Sequence, residues 1–135
     1  MEIKYYDKVH QELFITILDK MKVRDCYHIS LAYLIALDKV CREHIDDLFD
    51  FEENLIKPDT AFHHGWQTGT SVKTTRLAYN LWNGYCTDGE TYIDKNGYKS
   101  FLISNEYAVD NIFCCSYAPY YWQAVQLRYP EYAQV

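Results

Sequence analysis

Residues 26–37 read Cys-Tyr-His-Ile-Ser-Leu-Ala-Tyr-Leu-Ile-Ala-Leu. Wound as a helix, this segment has no polar face: Ile29, Leu31, Ala32, Tyr33, Leu34, Ile35, Ala36 and Leu37 cover most of its circumference. A helix of that kind has to be enclosed by other elements. It falls well short of the roughly 20 apolar residues that span a bilayer, and no other apolar run in the chain comes close. The sequence must therefore surround one central helix with partners of its own.

Those partners can be read on either side. Val9, Leu13, Phe14, Ile17, Leu18 and Met21 recur at helical spacing and predict a helix over 8–21, with Asp7 accepting hydrogen bonds from its first free amides. Asp25 is placed to cap the central helix in the same way. Asp38 is a third such cap and predicts a helix over 39–50, with Cys41, Ile45, Leu48 and Phe49 inside and its acidic residues in water. Lys57-Pro58-Asp59 breaks the chain. A fourth helix is expected over 71–83, capped by Thr70 or Ser71, with Leu77, Ala78, Leu81 and Trp82 buried and Asn83-Gly84 as its stop. Asp94-Lys95-Asn96-Gly97 reads as the turn of a short β-hairpin with arms 91–93 and 98–103. Pro119 suits the first turn of a last helix, 118–128, which Pro130 ends and Trp122, Val125 and Leu127 pack onto the core. Residues 105–117 fit either irregular chain or a short helical turn. The fold class is mainly α: a single globular domain over 1–135, of about four or five helices with a small β-hairpin near 91–103.

The chain holds 135 residues with 49% apolar and 24% charged side chains, enough for a real core. Aromatic residues reach 17%, which argues against disorder. The net charge of −6 disfavours binding along a nucleic-acid backbone, which calls for clustered Lys and Arg. The first residues carry no apolar signal segment, and five cysteines without an export signal fit reduced thiols in a cytoplasm.

Against this acidic background, residues 60–87 contain no Asp or Glu. The stretch holds Gly65, Gly69, six Ser or Thr residues at Thr60 and between Thr68 and Thr75, and the cations Lys73 and Arg76, and it runs from a loop into the fourth helix. Free amides at a helix start attract anions, and glycine lets a ligand approach the backbone. His63, His64, Trp66, Gln67, Thr68, Thr70, Ser71, Lys73 and Arg76 are therefore the candidate ligand-binding residues, for a phosphate, carboxylate or sulfate. The segment lacks the Gly-Lys-Ser/Thr signature of a P-loop. Helix capping and loop shaping account for the same residues without a ligand.

Other chemistries find less support. Adjacent His63 and His64 point apart in most backbone states, and Cys41, His44, Cys86, Cys114 and Cys115 lack metal-ligand spacing, so no metal and no cofactor are expected. Cys114-Cys115 lies in an apolar context that suits burial better than catalysis. The carboxylates from Glu43 to Glu53 have no calcium-loop spacing and read as a solvated face. Three functional classes remain: a non-enzymatic interaction or ligand-binding protein, a small enzyme acting on a phosphorylated or carboxylated metabolite, and an acidic regulator that meets a basic protein through residues 43–53.

Four stretches carry a resemblance. They are Arg42-x-His44-Ile45-Asp46-Asp47-Leu48-x-Asp50-Phe51, Gly65-Trp66-Gln67-Thr68-Gly69-Thr70-Ser71, Arg76-Leu77-Ala78-Tyr79-Asn80-Leu81-Trp82-Asn83-Gly84 and Leu127-Arg128-Tyr129-Pro130-Glu131-Tyr132. Over residues 8–132 the chain resembles a small uncharacterised family of Gram-positive bacteria, often met beside phage-like or conjugative elements. The resemblance implies a cytoplasmic bacterial protein and an accessory role on such an element. It implies no activity, cofactor or catalytic residue.

Overall fold

The segment without a polar face becomes the centre of the molecule. In a computed structural model that describes residues 2–134, α1 (Lys8–Met21) is followed by α2 (Cys26–Leu37), and α2 packs against α1 and against two later long helices, α6 (Gly69–Asn83) and α8 (Ala118–Arg128). Leu31, Ala32, Tyr33, Leu34 and Ala36 are fully enclosed. Each such leucine contributes about 1.5–3 kcal/mol by leaving water. The polar atoms carried into this core are matched: Tyr33 Oη donates to the Lys4 carbonyl at 2.6 Å, and the Lys4 amide donates to Gln123 Oε1 at 2.9 Å. These two bonds tie the extended N-terminal residues to α2 and α8.

The caps follow the sequence closely. Asp7, Asp25 and Asp38 accept the amides of His10, His28 and Cys41. Gly84 ends α6 in the left-handed region at φ 78°. The predicted start of α6 moves by two residues: Thr68 is the cap, and Gly69 opens the helix.

The helix expected over 39–50 is divided. It forms α3 (Lys39–Glu43) and α4 (Ile45–Leu48), with a break at His44, and the chain then turns extended. Phe49 and Asp50 form β1, which pairs antiparallel with β2 (Leu55–Ile56) in the register Phe49 to Ile56 and Asp50 to Leu55. Two local bonds explain the change. Asp50 Oδ1 accepts the amides of both Glu52 and Glu53 at 3.0 Å, closing a turn, and Asn54 takes the left-handed φ of 59°. Asp at a turn competes with helix in this manner. The acidic residues 43–53 are thereby distributed over two helices, a strand and a turn instead of one helix face.

A short α5 (Pro58–Phe62), unforeseen in the sequence, then leads into the loop before α6. The hairpin forms as β3 (Thr91–Ile93) and β4 (Lys99–Phe101), in the register Thr91 to Phe101, Tyr92 to Ser100 and Ile93 to Lys99. Residues 105–117 supply a 3₁₀ turn at Asn105–Tyr107 and α7 (Val109–Ile112). Four long α-helices, four short ones, two 3₁₀ turns and two small antiparallel ribbons are therefore the regular elements of the described residues. Among them, no helix is long and apolar enough to cross a membrane.

Candidate functional site

The segment 63–76 is built around the start of α6. Thr68 Oγ1 accepts the Ser71 amide at 3.1 Å and Ser71 Oγ accepts the Thr68 amide at 2.7 Å, a reciprocal capping box. Ser71 Oγ donates onward to Gln67 Oε1 at 2.6 Å. Gln67 Nε2 donates to the Ala61 carbonyl at 3.1 Å and to Thr75 Oγ1 at 3.0 Å. Trp66 Nε1 donates to the Thr60 carbonyl at 3.0 Å, and its ring lies parallel to that of His44 with centroids 4.3 Å apart. The polar atoms of Trp66, Gln67, Thr68 and Ser71 thus hold the loop against α5 and α6.

The two cations are engaged as well. Arg76 meets Asp88 through two bonds, Nη2 to Oδ2 at 2.6 Å and Nε to Oδ1 at 3.3 Å, and Glu106 Oε2 stands 3.9 Å from Nη1. Asp88 is the first carboxylate after the acid-free stretch, so the fold restores to Arg76 the counter-charge that the local sequence withholds. Lys73 Nζ donates to the Asn111 carbonyl at 2.5 Å and lies 3.0 Å from Cys114 Sγ. Thr70 is half-buried. His63 and His64 are exposed, on the turn after α5. His63 packs over Gly89, where an added Cβ would fall 2.6 Å from its Nε2, and Gly89 holds φ at 97°. His63 is therefore turned toward the loop that carries Asp88, while Trp66 and Gln67 face α5. The nine residues surround the helix start, and Arg76 reaches the cleft beyond it.

A sizeable recess lies next to this segment. A cleft of about 460 Å³ runs between Arg76 and the root of the hairpin, lined by Asp88, Glu90, Leu102, Asn105 and Glu106 among others. Three carboxylates face one paired guanidinium there. Below them Tyr107 donates its hydroxyl to the Thr87 carbonyl at 3.0 Å, and burial, reinforced by Asp88, pushes its phenol well above the ordinary range. Among the described residues no group of three or more Cys, His, Asp or Glu is placed to hold a metal ion.

Above the cleft stands the hairpin, whose strands pack chiefly on each other. Its ladder is regular: the Leu102 amide donates to the Glu90 carbonyl at 2.7 Å, and the Ser104 amide to the Cys86 carbonyl at 2.9 Å. Asp94 Oδ1 shapes the turn by accepting the amides of Asn96 and Tyr98, and Gly97 supplies the positive φ of 82°. Cross-strand register puts Tyr92 on one face with Ser100, and Ile93 and Phe101 on the other. Ile93 is 67% exposed, Tyr98 71%, Phe101 66% and Ile103 72%, with Tyr92 and Leu102 also in solvent. Sequence reasoning found the hairpin and passed over these side chains. The signal was there: Tyr92-Ile93 and Phe101-Leu102-Ile103 are consecutive, and a pleated pair sends consecutive residues to opposite faces, only one of which a core could cover.

At Trp122 the outcome differs from the expected packing of the last helix. Tyr121, Gln123 and Ala124 form the buried face of α8, and Trp122 is half in solvent beside Phe113. The helix itself keeps the expected bounds, Ala118–Arg128, with Pro119 in its first turn.

Taken together, these features define a mainly α domain that projects an apolar hairpin over an acidic cleft. The chain belongs to a family of unknown function, DUF6075, whose model matches residues 1–135. No curated protein and no solved structure matches it.

Proposed function

We propose that the protein is a non-enzymatic interaction protein whose binding surface is the hairpin arm 91–103 with the cleft at its root. The occupant we assign is a partner protein that offers an apolar strand or strip beside a Lys or Arg side chain. The observation that carries the reading is the exposure of Ile93, Tyr98, Phe101 and Ile103 on a two-stranded ribbon with free edges. A lone ribbon is marginal in water, and contiguous exposed apolar surface is characteristic of contact sites. The free edge of a strand is also a template for pairing with an added strand. Asp88, Glu90 and Glu106 in the cleft, and the net charge of −6, favour a basic partner over an acidic one or a second copy of this chain.

In this reading the segment 63–76 is the mount of the arm: Arg76 fixes Asp88, and His63 covers Gly89. A small anion is the weaker fit at that segment, since Ser71 is enclosed and Arg76 already paired. The proposal includes the setting implied by the resemblance, an accessory protein in the cytoplasm of a Gram-positive bacterium. Its unpaired cysteines suit such a compartment.

Synthetic peptides that alternate Val with Lys, or Val with Glu, test the assignment by fluorescence anisotropy. The Lys series should bind at least about tenfold more tightly, and more weakly as salt rises. Equal binding of both series, or of neither, contradicts the proposed partner chemistry.

A further inference from the structure

Lys73 and Cys114 are 41 residues apart in sequence, yet Nζ and Sγ lie 3.0 Å from each other. Lys73 projects from α6, and Cys114 follows α7. One carbonyl gathers both groups: Asn111 O accepts from Nζ at 2.5 Å and lies 3.5 Å from Sγ. Cys114 is exposed, so a small oxidant reaches it. The adjacent thiol is turned elsewhere, with Cys115 Sγ directed to the Ile112 carbonyl at 3.9 Å and half-buried. An oxidised cysteine condenses with whichever nucleophile stands nearest, a second thiol or a nitrogen. Here the nitrogen of Lys73 occupies that position.

We infer that Lys73 and Cys114 form an oxidation site at which a peroxide closes a reversible S–N cross-link between α6 and the connection from α7 to α8. In the first step the sulfur of Cys114 attacks a peroxide oxygen. The O–O bond breaks, an S–O bond forms, and the thiol proton leaves in a water molecule. Sulfur is oxidised by two electrons and hydrogen peroxide is reduced. In the second step Lys73, as the free amine after giving its ammonium proton to solvent, attacks the sulfur of the sulfenic acid. The S–N bond forms, the S–O bond breaks, and the departing hydroxide takes up an amine proton as a second water. One peroxide is consumed, two waters are formed, and the chain loses two hydrogen atoms. A thiol reductant reverses the link in two steps: one thiol attacks sulfur, breaks the S–N bond and protonates the released amine, leaving a mixed disulfide on Cys114, and a second thiol displaces Cys114 as the free thiol while the two reductant sulfurs form a disulfide. The closed state removes the charge of Lys73 and staples a long loop. It does not depend on the hairpin reading.

The test treats the full chain with hydrogen peroxide and follows intact mass and peptide maps, with far-ultraviolet circular dichroism confirming that every variant is folded. Wild type and Cys115→Ser should lose about 2 Da and yield a peptide pair joined through Lys73 and Cys114, undone by dithiothreitol. Lys73→Arg keeps a cation at the Asn111 carbonyl but offers a poor nucleophile, and with Cys114→Ser it should form no such pair. Oxygen adducts of about 16 or 32 Da on Cys114 in wild type without a joined peptide would overturn the inference. So would a loss of about 2 Da that maps to a Cys114–Cys115 disulfide and disappears in Cys115→Ser.

Discussion

Replacing Asp88 by Ala isolates the contact that links the acid-free segment to the hairpin root. The substitution removes both bonds to Arg76 and leaves its guanidinium with Glu106 at 3.9 Å as the remaining carboxylate neighbour. The side chains of Arg76 and Asp88 are 14% and 24% exposed, so the pair lies between two regimes. Exposed ion pairs contribute about 0–1 kcal/mol, whereas removing one partner of a fully buried pair costs about 3–5 kcal/mol. One short and one long charge-assisted bond at this depth place the loss near 2 kcal/mol. For a domain of this size that corresponds to a melting temperature lower by about 4–8 °C. Urea denaturation of wild type, Asp88→Ala, Arg76→Ala and the double variant measures it. If the charges act as a pair, the double variant should lose little more than either single one, with a coupling energy of about 1.5–2 kcal/mol. The same series with added phosphate separates pairing from anion binding: a freed Arg76 should let phosphate raise the stability of Asp88→Ala above its effect on wild type. A loss below about 0.5 kcal/mol, or strictly additive single effects, would refute the claim that this pair mounts the arm.

Other consequences follow from individual contacts. The enclosed His10 accepts the Tyr6 amide at Nδ1 (3.0 Å) and faces the Tyr33 carbonyl with Nε2 (2.9 Å), an arrangement only the neutral ring can make, and burial lowers its pKa. The unfolded chain then binds a proton that the native ring refuses. Stability should therefore fall as pH drops below the ordinary histidine value of about 6.5, and His10→Gln, compared by urea midpoint between pH 7.5 and 5.5, should flatten that slope. A wild-type slope equal to that of the variant would contradict it. Gly89→Ala meets both a positive φ and the His63 ring, so a loss of about 1–3 kcal/mol is expected, with His63→Ala restoring the steric part alone. Tyr79 donates to the Leu48 carbonyl at 2.6 Å, which keeps the Lys57 amide as a second partner; Tyr79→Phe should cost about 1 kcal/mol, and a loss above about 3 kcal/mol would mean the hydroxyl does more than bridge α4 to α6. Phe101→Ser with Ile103→Asp should leave the melting temperature within about 2 °C of wild type, since neither side chain supports the core.

Long-range periodicity and local chemistry were legible in the chain. The unbroken apolar circumference of 26–37 identified the central helix, and Asp7, Asp25 and Asp38 marked three helix starts because a cap acts within its own turn. The helix proposed over 39–50 failed for a reason of the same locality read too late: Asp50 closes a turn with Glu52 and Glu53 that outweighs the apolar spacing before it. The acid-free stretch showed where cations and hydroxyls cluster, but their partners come from elsewhere. Asp88 and Asn111 reach Arg76 and Lys73 across the fold, and no pattern within 60–87 announces them. The hairpin was located by its turn residues, while the fact that nothing covers it is a property of the tertiary arrangement.

The arm itself is the part of the account most directly open to measurement. A photoreactive benzophenone side chain placed at Ile103, and for comparison at Ile15, an exposed position on α1, can be activated in the native host and the conjugates sequenced. The account predicts one discrete conjugate from position 103, to an apolar peptide that carries Lys or Arg, abolished when Glu90 and Glu106 are changed to Lys. Identical conjugates from both positions, a conjugate between two copies of this chain, or indifference to the charge reversal would contradict it.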